Sequence, residues 1–552
     1  MKTIIVGGVA GGASAAARLR RLDEHAEIIL LERGAYISFA NCGLPYYIGG
    51  VITEREVLTL QSPAGFRERF CVDVRTLSEA VDLDADSKTL TIQSIATGER
   101  YTEQYDALIL APGAAPFRPN IPGLNLAGVF TLRNLSDTFA IDDFIRTTAP
   151  QSAVVVGGGF IGLEMAENFS HKGIRVTVVE RMEQVLAPLD FEMAADVQNY
   201  LREQGVRLRL GCAIEGIAQA QTGFAVSLSG GETLHTDMVQ LAIGVNPELT
   251  LAKKAGLTIT PLGAIEVNPH MQTSDPSIYA VGDAISVTHY LSRSPARIPL
   301  AGPANKQGRI AADNIAGRRS TYKGTQGSSI VKLFDMTVAC TGLNERAAIA
   351  AEISYDKVYL TPASHAGYYP NATNMLMKVL FEKETGWLLG AQIVGYEGVD
   401  KRMDVLATAI RFNATARDLT ELELCYAPPY SSAKDPANMA GYIITNVMDK
   451  LVRQFHWHEV DTLPRDGSVA LVDVRTKEEY AAGHIDGFCN IPLHTLRARM
   501  GELESEKTVY LHCYSGQRSY IACRILQAHG FTCCNLAGGY RLYNAVKKAQ
   551  GE

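Results

Sequence analysis

The chain has 552 residues, 47% hydrophobic and 20% charged, with a formal net charge of -7. That composition fits a folded protein, and at ~100–200 residues per domain the length implies three to five domains. The acidic balance disfavours nucleic-acid or membrane-surface partners, no apolar run reaches the ~20 residues of a membrane span, and the ten scattered cysteines form no metal-type CxxC pair, so reduced thiols in a cytoplasmic setting are expected, and no metal.

The first stretch, KTIIVGGVAGGASAAARLRRL followed by EIILLER, predicts strand, glycine-rich turn, helix and strand. The turn is Gly7, Gly8, Val9, Ala10, Gly11 and Gly12. Its backbone can approach a pyrophosphate at the helix N-terminus. Val9 holds the usual middle-glycine position. Glu32, with Arg33 beside it, ends the second strand, where a carboxylate accepts from ribose hydroxyls.

Next comes SFANCGLPYYIGG, with a lone Cys42 and, five residues on, Tyr47. A reactive thiol here needs a pKa lowered by a helix N-terminus or a cation. With no second cysteine at hand, its disulfide partner is external, or its sulfur cycles through a sulfenic acid. Cys71, Cys212, Cys340 and Cys425 are expected as small buried hydrophobes, and Cys533-Cys534 as part of a buried strand.

LILAPGAAP carries Ala111, Pro112 and Gly113. A second fingerprint follows in SAVVVGGGFIGLEMAENFSHKG, where Gly157, Gly159 and Gly162 fill every position around Phe160 and Ile161. Glu180 ends the next strand and favours NADH over NADPH, whose 2′-phosphate it would repel, although Arg181 softens that preference. LAIGVNPE contributes Gly244. TSDPSIYAVGD delivers Asp283 to a strand end, where it can bind a polyol. Two such units suggest two dinucleotides, one of them a flavin.

The order of these motifs resembles the pyridine nucleotide–disulfide oxidoreductases over about residues 1–445. The Cys42 segment resembles their single-cysteine branch: coenzyme A disulfide reductases, persulfide reductases, NADH oxidases and peroxidases. The resemblance implies FAD on the first turn and Asp283, with Leu300 and Ala301 nearby, and NADH or NADPH on the second turn. Ser14, Arg18 and Arg21 share one face of the first helix, either solvated or holding the phosphates of coenzyme A. SHAGYYPNA and YAPPYSSAKDP resemble segments of the coenzyme A disulfide reductases. They imply Tyr368 and Tyr426 beside the Cys42 sulfur, contributed across a homodimer, and Lys434 near the coenzyme A phosphates. Ser38, Asn41 and Asn305 would also face the substrate.

The last stretch holds VALVDVRTKEEYAAGHIDGFCNIPL, VYLHCYSGQRS and LAGGY. A strand delivers Cys513 to a loop that opens a helix and carries Arg518, a setting that cradles a sulfur anion. This resembles a rhodanese domain, which implies Cys513 as carrier of sulfane sulfur. Asp473 and Arg475 are expected as a structural buried pair.

The expected fold is α/β: an FAD domain (1–112 and 246–318) interrupted by an NAD(P)H domain (113–245), an α+β dimerisation domain (319–445), a linker (446–460) and a rhodanese domain (461–552). The expected function is NAD(P)H-dependent reduction of coenzyme A persulfide or polysulfide through Cys42, aided by Tyr368 and Tyr426, with Cys513 and Arg518 handling sulfur. The alternatives are a coenzyme A disulfide reductase proper, or an NADH oxidase, with the rhodanese auxiliary.

Overall fold

The computed structural model describes residues 1–551 and divides into two compact units, 1–183 with 205–327 and 184–204 with 328–552. The first unit holds two parallel five-stranded sheets. One runs Ile278–Ala280, Ala107–Leu110, Lys2–Val6, Glu27–Leu31 and Asp73–Arg75; the other runs Arg207–Arg209, Arg175–Val179, Ser152–Val156, Met238–Leu241 and Val129–Thr131. Their central strands are continuous apolar runs because parallel strands are covered on both faces: Ile4, Ile5, Val154 and Val155 are all buried. Between the sheets the chain crosses and returns through Ala114–Pro116 and Val245–Pro247, which pair antiparallel.

The parallel order places the C-terminal ends of Lys2–Val6 and Ser152–Val156 centrally, each followed at once by a glycine-rich turn and a helix, Ala10–Leu22 or Phe160–His171. Ligands of open α/β sheets bind at such ends.

The second unit contains an antiparallel sheet, Ser329–Leu333, Met336–Gly342, Leu388–Gly395, Leu376–Glu382 and Tyr355–Leu360, and a parallel one, Arg453–Phe455, Cys533–Leu536, Val509–His512, Ala470–Asp473 and Cys489–Asn490. Two expectations change here. The end of the helix Pro436–Met448 and the strand Arg453–Phe455 lie within the expected linker, and the strand belongs to the last domain because Phe455 packs into its core. The helix Phe191–Glu203, expected with the nucleotide domain, groups with the second unit. Arg541 pairs with its Asp196, Lys548 with its Glu203, each at 2.7 Å, and Asn199 donates to the Ala545 carbonyl at 2.8 Å.

The start of that helix is fixed by a buried charge cluster. Lys378, fully buried on its strand, pairs with Asp190 at 2.7 Å and with Glu192 and Glu345. The three carboxylates are spaced as a metal site would be, and the ammonium stands in the cation's place. Tyr359 donates to Glu192 and Gln392 to Asp190, each at 2.6 Å, so the buried charges keep the partners that burial demands.

Candidate functional site

Both glycine-rich turns are shaped by backbone approach. Gly7 has φ +104°, and a Cβ there would lie 2.1 Å from the Ala111 carbonyl oxygen; one at Gly12 would lie 1.9 Å from that of Gly7. The second turn repeats this: Gly157 has φ +109° with its Cβ position 2.3 Å from the Ala242 oxygen, and that of Gly162 is 1.9 Å from the Gly157 oxygen. Around Gly159 there is open space, the room a pyrophosphate needs. Glu32 accepts from the N–H groups of Gly8 and Gly34 at 2.9 and 2.7 Å. Glu180 accepts from Gly158 and Met182 at 2.7 and 2.8 Å. Each carboxylate thus sits against its own turn, positioned for a ribose.

The expected cofactor residues take distinct parts. Val9 caps Ala10–Leu22 without a side-chain bond. Ala10 opens that helix. Gly11 has a packing part as well: it is buried against Val281 and against Gly308 of the helix Ala301–Ile315, whose Cβ position lies 2.2 Å from the Gly11 oxygen. It serves helix packing, and Gly308 went unnoticed in PANKQGR because nothing local marks a distant contact. Ala111, Pro112 and Gly113 form the loop beside the first turn, and Arg33 lies 3.7 Å from Glu248. Phe160 and Ile161 open the helix Phe160–His171, with Ile161 exposed. Gly244 holds φ +100° at the crossover. Leu300 caps the Ala301 helix with no side-chain bond, leaving N–H groups open. Asp283 faces Arg133 at 3.7 Å, and burial raises its carboxyl against that charge. A half-enclosed carboxylate short of donors fits a polyol. Replacing Gly157 by Ala forces a left-handed, clashing residue, a strain of ~1–3 kcal/mol. We expect NADH titrations of that variant to show binding weakened about tenfold or more, with flavin absorbance kept.

Cys42 sits in a single 3-10 turn, Asn41–Gly43, ahead of the six-residue helix Leu44–Gly49. Ser38, a non-glycine residue at φ +46°, donates its N–H to the Gly8 carbonyl at 2.8 Å, which ties the cysteine segment to the first nucleotide turn. Gly49 lets the short helix dock on Phe160–His171: a Cβ there would meet the Asn168 side chain at 1.9 Å. Cys42 is solvent-exposed. Its thiol nonetheless stands above its ordinary value, through partial burial and then the charges of Glu164 and Asp283. The expectation of a lowered pKa is therefore corrected: two carboxylates face this sulfur. Tyr46 donates to Glu164 at 3.2 Å, and burial raises the Glu164 carboxyl. Sequence reasoning missed this pair, although Glu164 follows the last fingerprint glycine by two residues. Tyr47 packs edge-on against Phe139, 6.0 Å between centroids.

The expected coenzyme A residues divide. Ser14 donates to the Asn305 oxygen at 2.5 Å, bringing two of them together. Arg18 is a correction: it pairs with Asp313 at 2.7 Å, a residue 295 positions away, so its charge is matched. Arg21 and Lys434 are exposed. In the second unit the hydroxyls of Tyr368 and Tyr426 are 3.1 Å apart, and both rings are exposed. A cavity of about 500 Å³ lined by His365, Lys401, Cys425 and Tyr426 opens beside them. Cys425 and Cys71 are exposed and Cys212 half-buried, correcting the expectation of buried core thiols; Cys340, Cys533 and Cys534 are buried.

In the last domain Cys513 directly follows the strand Val509–His512 and is fully buried. Its Sγ accepts from the Gly516 N–H at 3.2 Å and the Ser519 hydroxyl at 3.4 Å, at the start of the helix Gln517–Gln527. Tyr540 and Arg541 donate backbone N–H groups to the Cys513 and Tyr514 carbonyls at 2.8 and 2.9 Å, so LAGGY braces the loop. Asp473 and Arg475 form the expected buried pair, at 2.7 Å. Arg518 is engaged by Glu479, a partner the sequence reading did not single out.

Comparison with known proteins agrees with this geometry. Residues 1–308 match the pyridine nucleotide-disulphide oxidoreductase family, 328–437 its dimerisation domain and 456–545 the rhodanese-like domain. The chain is 38% identical over 442 residues to a coenzyme A disulfide reductase of Staphylococcus epidermidis, covering 80% of this chain and 99% of that one. Among solved structures it is similar to reduced Bacillus anthracis CoADR-RHD, at 51% identity, TM-score 0.97 and coverage of 99% and 98%. It is also similar to an NAD-dependent persulfide reductase from A. fulgidus, at 37% identity, TM-score 0.92 and coverage of 98% and 100%.

Proposed function

This chain belongs to the pyridine nucleotide-disulphide oxidoreductases, an oxidoreductase of the coenzyme A disulfide reductase type with a rhodanese domain, and from that premise we propose that it reduces coenzyme A persulfide with NADH. The observation that carries this is the union in one chain of an exposed thiol, Cys42, on a segment tied to a nucleotide turn, and a rhodanese loop that keeps its cysteine, Cys513.

The Cys42 thiolate attacks the sulfur bonded to coenzyme A. A Cys42–S–S–coenzyme A bond forms, the persulfide bond breaks and hydrosulfide leaves. Tyr368 and Tyr426, contributed across a homodimer, donate to the leaving sulfur and to the coenzyme A thiolate that follows it; the Tyr426 hydrogen bond raises the Tyr368 phenol and keeps it protonated. The Gly7–Gly12 turn, Glu32 and Asp283 would hold FAD, which would supply the two-electron link between NADH and the Cys42 disulfide. Glu180 favours NADH, since it already accepts two N–H groups and would repel a 2′-phosphate. Arg21 and Lys434 hold the phosphates of coenzyme A, and Cys513 carries sulfane sulfur toward it.

A second reading, reduction of coenzyme A disulfide itself, is favoured by the Staphylococcus relative, which matches the chain without the rhodanese segment's length. The test is anaerobic NADH consumption with coenzyme A persulfide, coenzyme A disulfide and inorganic polysulfide, recording sulfide. Stoichiometric sulfide at the highest rate on the persulfide supports the first reading. Turnover on the disulfide alone supports the second.

A further inference from the structure

The rhodanese loop is less positive than its sequence suggests. Arg518 is the one Lys or Arg between Cys513 and Ser519; it hydrogen-bonds Cys513, but each arm of its guanidinium also donates to Glu479, which matches its charge. Nη1 donates to Oε2 and Nη2 to Oε1, each at 2.7 Å, the fork geometry that makes such pairs strong. Glu479 is itself fixed. Its Oε2 accepts the Thr476 N–H at 2.9 Å, and Thr476 Oγ1 accepts the Glu479 N–H at 3.2 Å, a capping box at the start of the helix Lys477–Ala481. The Arg518 hydrogen bonds hold the Glu479 carboxyl at about 2. Nearby charges cancel as well. Arg475 is buried on Asp473 at 2.7 Å, and burial keeps His512 neutral down to about 4.

We propose that Glu479 selects the sulfur donor of Cys513: the loop accepts sulfane sulfur from a thiol persulfide, R–S–SH, and discriminates against dianionic donors. The inference rests on the reading of Cys513 as a sulfur carrier. In the favoured transfer the Cys513 thiolate attacks the terminal sulfur. A Cys513–S bond forms, the donor's S–S bond breaks, the proton stays on the transferred sulfur and R–S⁻ leaves with one negative charge. No outside oxidant or reductant is needed. The same attack on thiosulfate expels sulfite with two negative charges, into a loop whose one guanidinium is already matched. The Gly516 N–H and the Ser519 hydroxyl, at 3.2 and 3.4 Å from Sγ, and Arg518, which hydrogen-bonds Cys513, can serve one sulfur anion, but with Glu479 paired to Arg518 they bring no net positive charge to offset a dianion.

The experiment uses the full chain, with glutathione persulfide and inorganic thiosulfate as donors and cyanide as acceptor, following thiocyanate and the mass of the Cys513 peptide. The wild type is expected to prefer the persulfide by about a hundredfold in kcat/KM. Glu479→Gln frees one guanidinium charge at contact distance and is expected to raise the thiosulfate-to-persulfide ratio about tenfold. Glu479→Asp, which keeps the charge, is expected to hold the ratio near wild type. NADH-driven reduction of coenzyme A disulfide reports that each variant is folded. Equal use of both donors by the wild type, or an unmoved ratio in Glu479→Gln, overturns the proposal. Failure of both donors to load wild-type Cys513 overturns the carrier reading instead.

Discussion

Replacing Cys42 with Ser is expected to lower NADH-driven reduction of both coenzyme A persulfide and coenzyme A disulfide by on the order of ten-thousand-fold, while thiocyanate formation through Cys513 persists. Loss of a nucleophile that forms a covalent intermediate has effects of that size or larger. Anaerobic NADH oxidation measures the first activity, and cyanide trapping the second. Replacing Cys513 by Ala should give the reverse pattern. If Cys42→Ser retained persulfide reduction, the single-thiol mechanism would be wrong. The charges around the sulfur add a pH signature. Partial burial, Glu164 and Asp283 raise the Cys42 thiol, so kcat/KM should climb as pH passes the ordinary thiol range near ~8.5. Glu164→Gln removes one of the opposing charges and should move that limb to lower pH.

Replacing Lys378 with Met is expected to destabilise the second unit by about 3–5 kcal/mol, since removing one partner of a buried ionic cluster leaves the others uncompensated. Asp190 and Glu192 would lose their cation, while Glu345 keeps Lys357 at 2.5 Å. Urea unfolding followed by tryptophan fluorescence reports on this region, because Trp457 packs against Phe191 at 6.2 Å. Adding Glu192→Gln to the variant should recover part of the loss. The acid limb carries a further check. Burial opposes the Glu345 charge, but Lys378 and Lys357 outweigh it and hold the carboxyl at about 2. A carboxyl depressed on folding gives stability above its unfolded value, near ~4.3, and loses it as pH falls toward 2. In Lys378→Met the orphaned carboxylates are raised instead, so its deficit relative to wild type should shrink with acidification.

Features set by nearby residues were legible in the sequence. The glycines of both turns announce themselves because the backbone conformation is local, and the Asp473–Arg475 pair because two positions separate its members. Arg18 misled for the opposite reason: its helix face is readable, but Asp313 lies 295 residues on. Gly11, read as part of a phosphate cradle, also makes a helix contact with Gly308 that nothing local announces. The direction of the Cys42 shift was misjudged because the sequence shows a helix start after it, whereas partial burial and the charges of Glu164 and Asp283 arise only through folding. Lys378 gave no sign at all, being one lysine in an apolar strand.

The docking of the helix Phe191–Glu203 bears on how sulfur travels. Arg541, Lys548 and the Ala545 carbonyl fasten the last helix of the rhodanese to it, while the Lys378 cluster fastens its start to the antiparallel sheet. Hinged carriers such as lipoyl arms deliver cargo by swinging on loose tethers. This rhodanese is instead bolted into the same body as the dimerisation sheet, and its entry strand is part of its own sheet. On the proposed reading of Cys513 as a sulfur carrier, the freight rather than the dock would have to move, which calls for a diffusible thiol.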